Sequence, residues 1–182
     1  MLVYMVDHGK YLLPEESLKR RPEGKRGLYV NITNECPCAC TFCLRTLKDM
    51  PEDMSLWLGG KEPTVEEVKT ALLAAPWDYV KEVVFCGFGE PTMRLADLIE
   101  LLRFVKEQHP DLPTRVNTNG LSDLVYGRDT AADFAGGILD TVSISLNASN
   151  AERYLALTRS EFGIKSFEAM LAFAEKMKAY AG

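Results

Sequence analysis

The chain has 182 residues, 47% hydrophobic and 26% charged, with a formal net charge of −5; this is the make-up of a single soluble globular domain with a sizeable core and little room for disorder. No apolar run reaches the roughly 18 uncharged residues of a membrane span, and the N-terminus lacks a basic region ahead of an apolar core, so a cytoplasmic protein without a membrane partner is expected. The charges are spread without blocks, which leaves no strong signal for nucleic acid.

In chain order, residues 2–6 and 11–13 read as a small β-hairpin around a turn at Asp7, His8, Gly9 and Lys10. Residues 14–26, charged and carrying Pro22 and Gly24, read as a solvated connection. Residues 28–33 form the first main strand, and a cysteine-rich loop leaves its end. The segment 44–62 holds Met50, Met54, Gly59 and Gly60, and its Leu56, Trp57 and Leu58 could shield the cysteine loop but are expected to pack onto the helices. Thr64 and Glu67 spell a capping box, followed by one apolar stripe of Val65, Val68, Leu72 and Ala75 that Trp77 and Asp78 end. Residues 82–86 are an apolar run suited to a strand buried on both faces. Leu95, Leu98, Ile99, Leu102 and Val105 stripe a second helix that stops at Pro110. Residues 114–118 make a third strand, and Asp129 is the expected N-cap of a short helix through Ala135, stopped by Gly136 and Gly137. Residues 141–146 are the fourth strand. Ser149 and Glu152 then form a second capping box over a short helix with Tyr154 and Leu157. Phe167, Met170, Leu171, Ala174 and Met177 stripe a last helix running to the C-terminus.

Four consecutive strand-and-crossover units imply an α/β fold with a parallel sheet and right-handed connections. The expected division is 1–26, hairpin and connection, and 27–182, the main domain. Ligands in such sheets collect at the C-terminal strand ends. All four exits here carry small or polar residues: the cysteine loop, residues 87–92, residues 117–120, and Ser145 with Asn147.

Four of the five cysteines, Cys36, Cys38, Cys40 and Cys43, lie in the first exit. An odd number clustered in one loop is unlike a disulfide framework and suits thiolates held for a metal in a reducing compartment. Tetrahedral zinc normally draws two ligand pairs from separated turns, and no second pair exists; a cubane cluster suits one loop wrapping it. On this count Cys38 or Cys86 could complete a four-cysteine site, or neither. Cys86 reads as a small buried strand residue, and His8 and His109 as surface residues.

Cys36-x-x-x-Cys40-x-x-Cys43, with Phe42 directly before the last cysteine, resembles the signature of the radical S-adenosylmethionine (radical SAM) superfamily. The resemblance implies that Cys36, Cys40 and Cys43 bind three irons of a [4Fe-4S] cluster and leave the fourth to the amino and carboxylate groups of S-adenosylmethionine. It also implies that Cys38 points away and that Phe42 lies against the adenine. Gly87, Gly89 and Glu90 resemble the Gly-Gly-Glu segment that receives the cofactor's amino group, with Phe88 in place of the first glycine of the doublet. Residues 117–119, with Asn117 foremost, match the third-strand exit, Ser145 and Asn147 match ribose-binding positions, and Arg159 matches a partner for the cofactor carboxylate. Within the superfamily, segments 31–43, 87–92 and 143–148 look like the small TatD-associated radical SAM proteins, a likeness that covers most of residues 27–181.

By this resemblance the chain is an enzyme that reductively cleaves S-adenosylmethionine at the cluster. The electron comes from a low-potential donor of flavodoxin or ferredoxin type, and the 5′-deoxyadenosyl radical abstracts hydrogen from an unidentified substrate. Such domains are usually partial barrels of six strand-helix units, whereas four are present here. The expectation is an open partial barrel that lacks its last two strands, either because the chain is truncated or because an oligomeric partner covers the edge of the fourth strand. The alternative from another class is a non-catalytic module in which all four clustered cysteines fix zinc or a closed iron–sulfur cluster.

Overall fold

In the computed structural model, which describes residues 1–47 and 55–182, six strands share one mixed sheet. They are β1 Val3–Asp7, β2 Lys10–Leu12, β3 Arg26–Val30, β4 Val80–Phe85, β5 Thr114–Thr118 and β6 Thr141–Ile144. Their spatial order is β2-β1-β3-β4-β5-β6; β1 runs antiparallel to both neighbours, and β3 to β6 are parallel. The β1–β2 hairpin closes tightly because His8 and Gly9 both take positive φ, 47° and 76°, the twist a two-residue hairpin loop requires.

The registers sort the strands' side chains into two faces. Leu28, Val83, Phe85 and Val116 share one face with Val68 and Leu72 of α3 Val65–Leu73, Leu98, Leu102 and Val105 of α4 Leu95–Gln108, and Phe173 and Met177 of α7 Ser166–Met177. This is the main core, and each fully buried side chain of this size contributes about 1.5–3 kcal/mol relative to exposure. Tyr4, Tyr29, Val84, Arg115, Asn117 and Ser143 point the other way, toward the helix-free face. At its β1 end Tyr4 stacks on Tyr29 at 5.2 Å and meets Tyr11 edge-on at 5.5 Å.

The capping box is present, with Thr64 Oγ1 accepting from Glu67 N–H and Glu67 accepting from Thr64 N–H. Other expectations need correction. Residues 14–26 are largely solvated but are not a plain loop, since they contain α1 Pro14–Arg20, which has proline at its start, Glu15 and Glu16 in the first turn and Lys19 and Arg20 in the last, matched to the helix dipole. Arg26 is buried and gathers the segment, donating to Ser17 O (3.0 Å), Ser17 Oγ (2.9 Å), Arg21 O (2.6 Å) and Glu23 O (2.9 Å).

Leu56 packs not onto the helices but on the opposite face with Tyr4 and Phe88, while Trp57, 53% exposed, leans edge-on against Phe88. Met50 and Met54 lie outside the described residues. The cysteine loop continues into a single turn, α2 Leu44–Leu47. The third crossover places its helix earlier than expected, α5 Ser122–Tyr126, and the stretch after Asp129 is a 3₁₀ turn, Ala131–Phe134, with Asp129 accepting from Ala131 N–H. Asn150, not Ser149, caps α6 Ala151–Thr158 by accepting from Arg153 N–H at 2.9 Å. In α7 the buried stripe is Phe167, Met170, Phe173 and Met177, leaving Leu171 39% exposed. That helix ends at Met177, and the chain then lays Gly182 along β6, accepting from Val142 N–H and donating to Asp140 O. His109 is half-buried, its ring 4.0 Å from that of Trp77. Among the described residues no helix is long and apolar enough to cross a membrane.

Candidate metal centre at the strand ends

The loop after β3 is anchored at both flanks before its thiols do anything. Asn34 closes the entry: its Oδ1 accepts from Leu58 N–H (2.7 Å) and its Nδ2 donates to Leu56 O (3.2 Å). Arg45, two residues beyond the last cysteine, folds back to donate to Asn34 O and Cys38 O, each at 3.1 Å. The outer wall comes from the end of α6. Its terminal carbonyls accept from the loop, Thr158 O from Ala39 N–H (3.0 Å) and Leu157 O from Thr41 N–H (2.8 Å), and Glu161 N–H donates to Pro37 O (3.0 Å). A helix C-terminus thus finds partners for carbonyls that its own turns leave open.

The second exit presses on the inner flank. Gly89 sits where a Cβ would lie 2.3 Å from Thr33 O and 2.7 Å from Glu35 O, and Glu90 N–H donates to Glu35 O at 2.8 Å. Only glycine permits this approach. The Glu90 carboxylate, 4% exposed, joins the second exit to the third. One oxygen accepts from Thr92 N–H (3.1 Å), Thr92 Oγ1 (2.8 Å) and Thr118 Oγ1 (2.8 Å), the other from Asn119 N–H (2.7 Å). Burial pushes its pKa up, against the pull of these donors.

Cys36, Cys40 and Cys43 are half-buried and Cys38 is buried; all are free. The neighbouring Cys38 lowers the Cys36 thiol and brings Cys40 down to about 7, with Arg45 adding in the same direction. Cys36, Cys40 and burial push Cys38 up. Asn119 Nδ2 lies 4.0 Å from Cys36 Sγ and 3.9 Å from Cys38 Sγ.

The expected site residues are brought together unevenly. Gly89, Glu90 and the cysteines are in one packed unit. Arg159, held at φ 48° where α6 ends, lines with Cys40, Cys43, Thr41 and Arg45 a cleft of about 300 Å³. Phe42 is 44% exposed, and Ser145 and Asn147 are exposed beside β6. Gly87 packs against the Asn31 side chain. Asn117 lies one pleat deeper, level with Cys86 by strand register, so Asn119 is the asparagine that reaches the cysteine sulfurs. Arg45 and Tyr154 are additions that sequence reasoning missed. Arg45 had its position directly behind the motif as a signal; Tyr154, expected only as a helix residue, had none.

The donor set is all sulfur, which suits zinc, copper(I) or an iron–sulfur cluster and not a hard cation. No three His, Cys, Asp or Glu side chains among the described residues converge as ligands of a single ion would. A buried hydroxyl beside the loop, Tyr154 Oη, also lacks a partner. Spread thiols around one loop and an orphaned donor fit a multi-sulfur cluster.

A family model described as the radical SAM superfamily matches residues 30–181. A GTP 3′,8-cyclase of Corynebacterium glutamicum is 29% identical over 167 residues, covering 86% of this chain and 41% of that protein. One from Rhodococcus opacus is 32% identical over 139 residues, covering 75% and 36%, and a probable GTP 3′,8-cyclase of Methanopyrus kandleri is 31% identical over 137 residues, covering 75% and 39%. The chain therefore spans about two fifths of the length of the curated relatives it matches. Because the family match runs from the end of β3 to beyond α7 and takes in all four strand exits, the chain belongs to the radical SAM superfamily.

Proposed function

We propose that the chain is a radical SAM enzyme whose [4Fe-4S] cluster is held by Cys36, Cys40 and Cys43. The observation that carries this is the cysteine loop itself, clamped between Glu35–Glu90 on one flank and Leu157–Glu161 on the other at the C-terminal ends of parallel strands. When bound, the cluster and S-adenosylmethionine supply one-electron cleavage of the sulfonium, giving methionine and a 5′-deoxyadenosyl radical that takes hydrogen from an organic substrate. The electron comes from a flavodoxin- or ferredoxin-type donor.

The chain's residues set the stage for that chemistry. Cys38 lies outside the ligand set, which leaves one metal position open. Glu90 already accepts four hydrogen bonds, so it acts by tying the second exit at Thr92 to the third at Thr118 and Asn119, beside Gly87 and Gly89. Arg159, which shares a cleft with Cys40 and Cys43, would meet the cofactor carboxylate, Phe42 would lie on the adenine, Ser145 and Asn147 would meet the ribose, and Asn117 would contribute from the third exit.

In this reading the four parallel strands are part of an open barrel. Residues 27–182 form the family unit and residues 1–26 extend its sheet. β6 is the edge strand, paired over part of its length by Gly182, and either further chain or an oligomeric partner would cover the rest. Segments 31–43, 87–92 and 143–148 support placement with the TatD-associated group.

The test is anaerobic reconstitution followed by chromatography for 5′-deoxyadenosine with dithionite and S-adenosylmethionine. We expect four irons per chain and product formation that Cys36→Ala, Cys40→Ala or Cys43→Ala abolishes and Cys38→Ala spares. Zinc without cluster would sink the enzyme reading. Loss of cluster in Cys38→Ala with retention in Cys36→Ala would overturn the ligand assignment. Adding GTP separates the two groups of relatives: stimulation would favour the cyclases' reaction over the TatD-associated placement.

A further inference from the structure

On the helix-free face, Arg115, Asn117 and Asn119 follow one another along β5 and just past its end, one pleat apart. The last of them reaches the cysteine sulfurs, with Nδ2 4.0 Å from Cys36 Sγ and 3.9 Å from Cys38 Sγ. Arg115 therefore lies two pleats, roughly 13 Å, below the level of the thiols on the same wall. Its side chain is 29% exposed, and its Nε is buried without a hydrogen-bond partner. Its one ionic contact among the described residues is Nη2 to Glu82 Oε1 at 3.5 Å, longer than a charge-assisted hydrogen bond. Asn117, one pleat nearer the thiols, also buries an Oδ1 that no group answers. Packing alone calls for neither head group, because a guanidinium or amide held away from water without partners is costly. Their β6 neighbours Thr141 and Ser143 are exposed, so the face stays open beside them.

Resting on the radical SAM reading, we propose that Arg115 anchors the substrate, an organic carboxylate held by the guanidinium on the helix-free face, with the rest of the molecule lying along β5 toward the thiols. A carboxylate suits this anchor better than a phosphate. Its single charge matches one guanidinium, whereas Glu82 already neutralises part of that positive charge and would repel a dianion. Asn117 Oδ1, between the anchor and the thiols, is left to accept from a donor on the bound molecules. Arg115 is thus a specificity residue: it selects which molecule presents a C–H bond at the strand ends and takes no part in the hydrogen transfer.

The test is ligand-observed NMR titration of the protein, before and after reconstitution, with benzoate, butanoate, benzamide and phenyl phosphate. Wild type should bind a carboxylate at millimolar concentration, and benzamide and phenyl phosphate more weakly. Arg115→Met should weaken the carboxylate about tenfold or more and leave benzamide unchanged, with Arg115→Lys falling between. Glu82→Gln should tighten the carboxylate, since the competing charge is gone. Absence of carboxylate binding in both forms, undiminished binding to Arg115→Met, or tighter binding of phenyl phosphate would overturn the anchor. A wild type that takes up no cluster would instead refute the radical SAM reading on which the substrate assignment rests.

Discussion

Replacing Gly89 with alanine puts a methyl group into the narrowest seam of the site. The added Cβ would stand 2.3 Å from Thr33 O, 2.8 Å from Thr33 C and 2.7 Å from Glu35 O, all of them backbone atoms. Restoring ordinary contact requires the two exits to part by close to 1 Å, which breaks the 2.8 Å bond from Glu90 N–H to Glu35 O. Overpacking of this kind costs about 1–3 kcal/mol and the lost hydrogen bond about 1, giving about 2–4 kcal/mol. For a chain of this size that lowers the melting temperature by roughly 5–15 °C. Gly87→Ala is the internal control. Its Cβ would meet Asn31 alone, Oδ1 at 2.0 Å, Cγ at 2.4 Å and Cβ at 2.8 Å, so it displaces that residue and its 2.6 Å bond to Leu56 O without touching the carbonyls of Thr33 and Glu35. Circular-dichroism melts of the apo protein and iron per chain after reconstitution measure both variants. Both should melt below wild type, and Gly89→Ala should be the poorer in iron. If it melts within about 1 °C of wild type with a full cluster, the claim that this seam positions the loop is wrong.

Two further substitutions probe the loop and the floor of the sheet. Arg45→Met removes both bonds to Asn34 O and Cys38 O together with a positive charge near Cys36 and Cys40; peptide-resolved alkylation of Cys40 against pH should move its midpoint upward from about 7, and an unmoved midpoint would show that the guanidinium does not reach the thiols. Asp140 is held below its usual carboxylate pKa, since the Lys106 ammonium at 2.7 Å and the Thr114 N–H and hydroxyl outweigh its partial burial. A depressed carboxyl contributes stability above its unfolded pKa of about 3.9 and loses it as pH falls through the lower folded value, so Asp140→Asn should cost about 0.5–1 kcal/mol at pH 7 and progressively less as the pH is lowered below that, as chemical denaturation across the acid range would show.

Much of the frame could be read from residue patterns because the signals were local. The capping box at Thr64, the stripe from Leu95 to Val105 and the third strand at residues 114–118 each announce themselves within one turn or one pleat. The errors came where a charged or polar surface hid a structural job. Residues 14–26 look solvated, yet Arg26 buries its guanidinium against four backbone carbonyls of that segment and leaves α1 as the consequence. Leu171 fits an apolar stripe, but the sheet takes the face centred on Phe173, which lies two residues away, on the far side of Met170 around the helix.

The site divides along the same line. Thiols carry their chemistry in the side chain, so spacing alone exposes Cys36, Cys40 and Cys43. What holds them in place is largely main chain: Glu35 O, Pro37 O, Leu157 O and Thr158 O, groups every residue owns and no sequence pattern marks. Gly89 is legible only as a glycine, and its reason appears only with two carbonyls within 3 Å of its missing Cβ. The asparagine assignment turns on strand parity: Asn117 and Asn119 share a face, but one extra pleat carries the second past the end of β5 to the sulfurs while the first stays level with Cys86. A pattern match finds which exits converge; pleat count and backbone contacts decide which residue on each exit arrives.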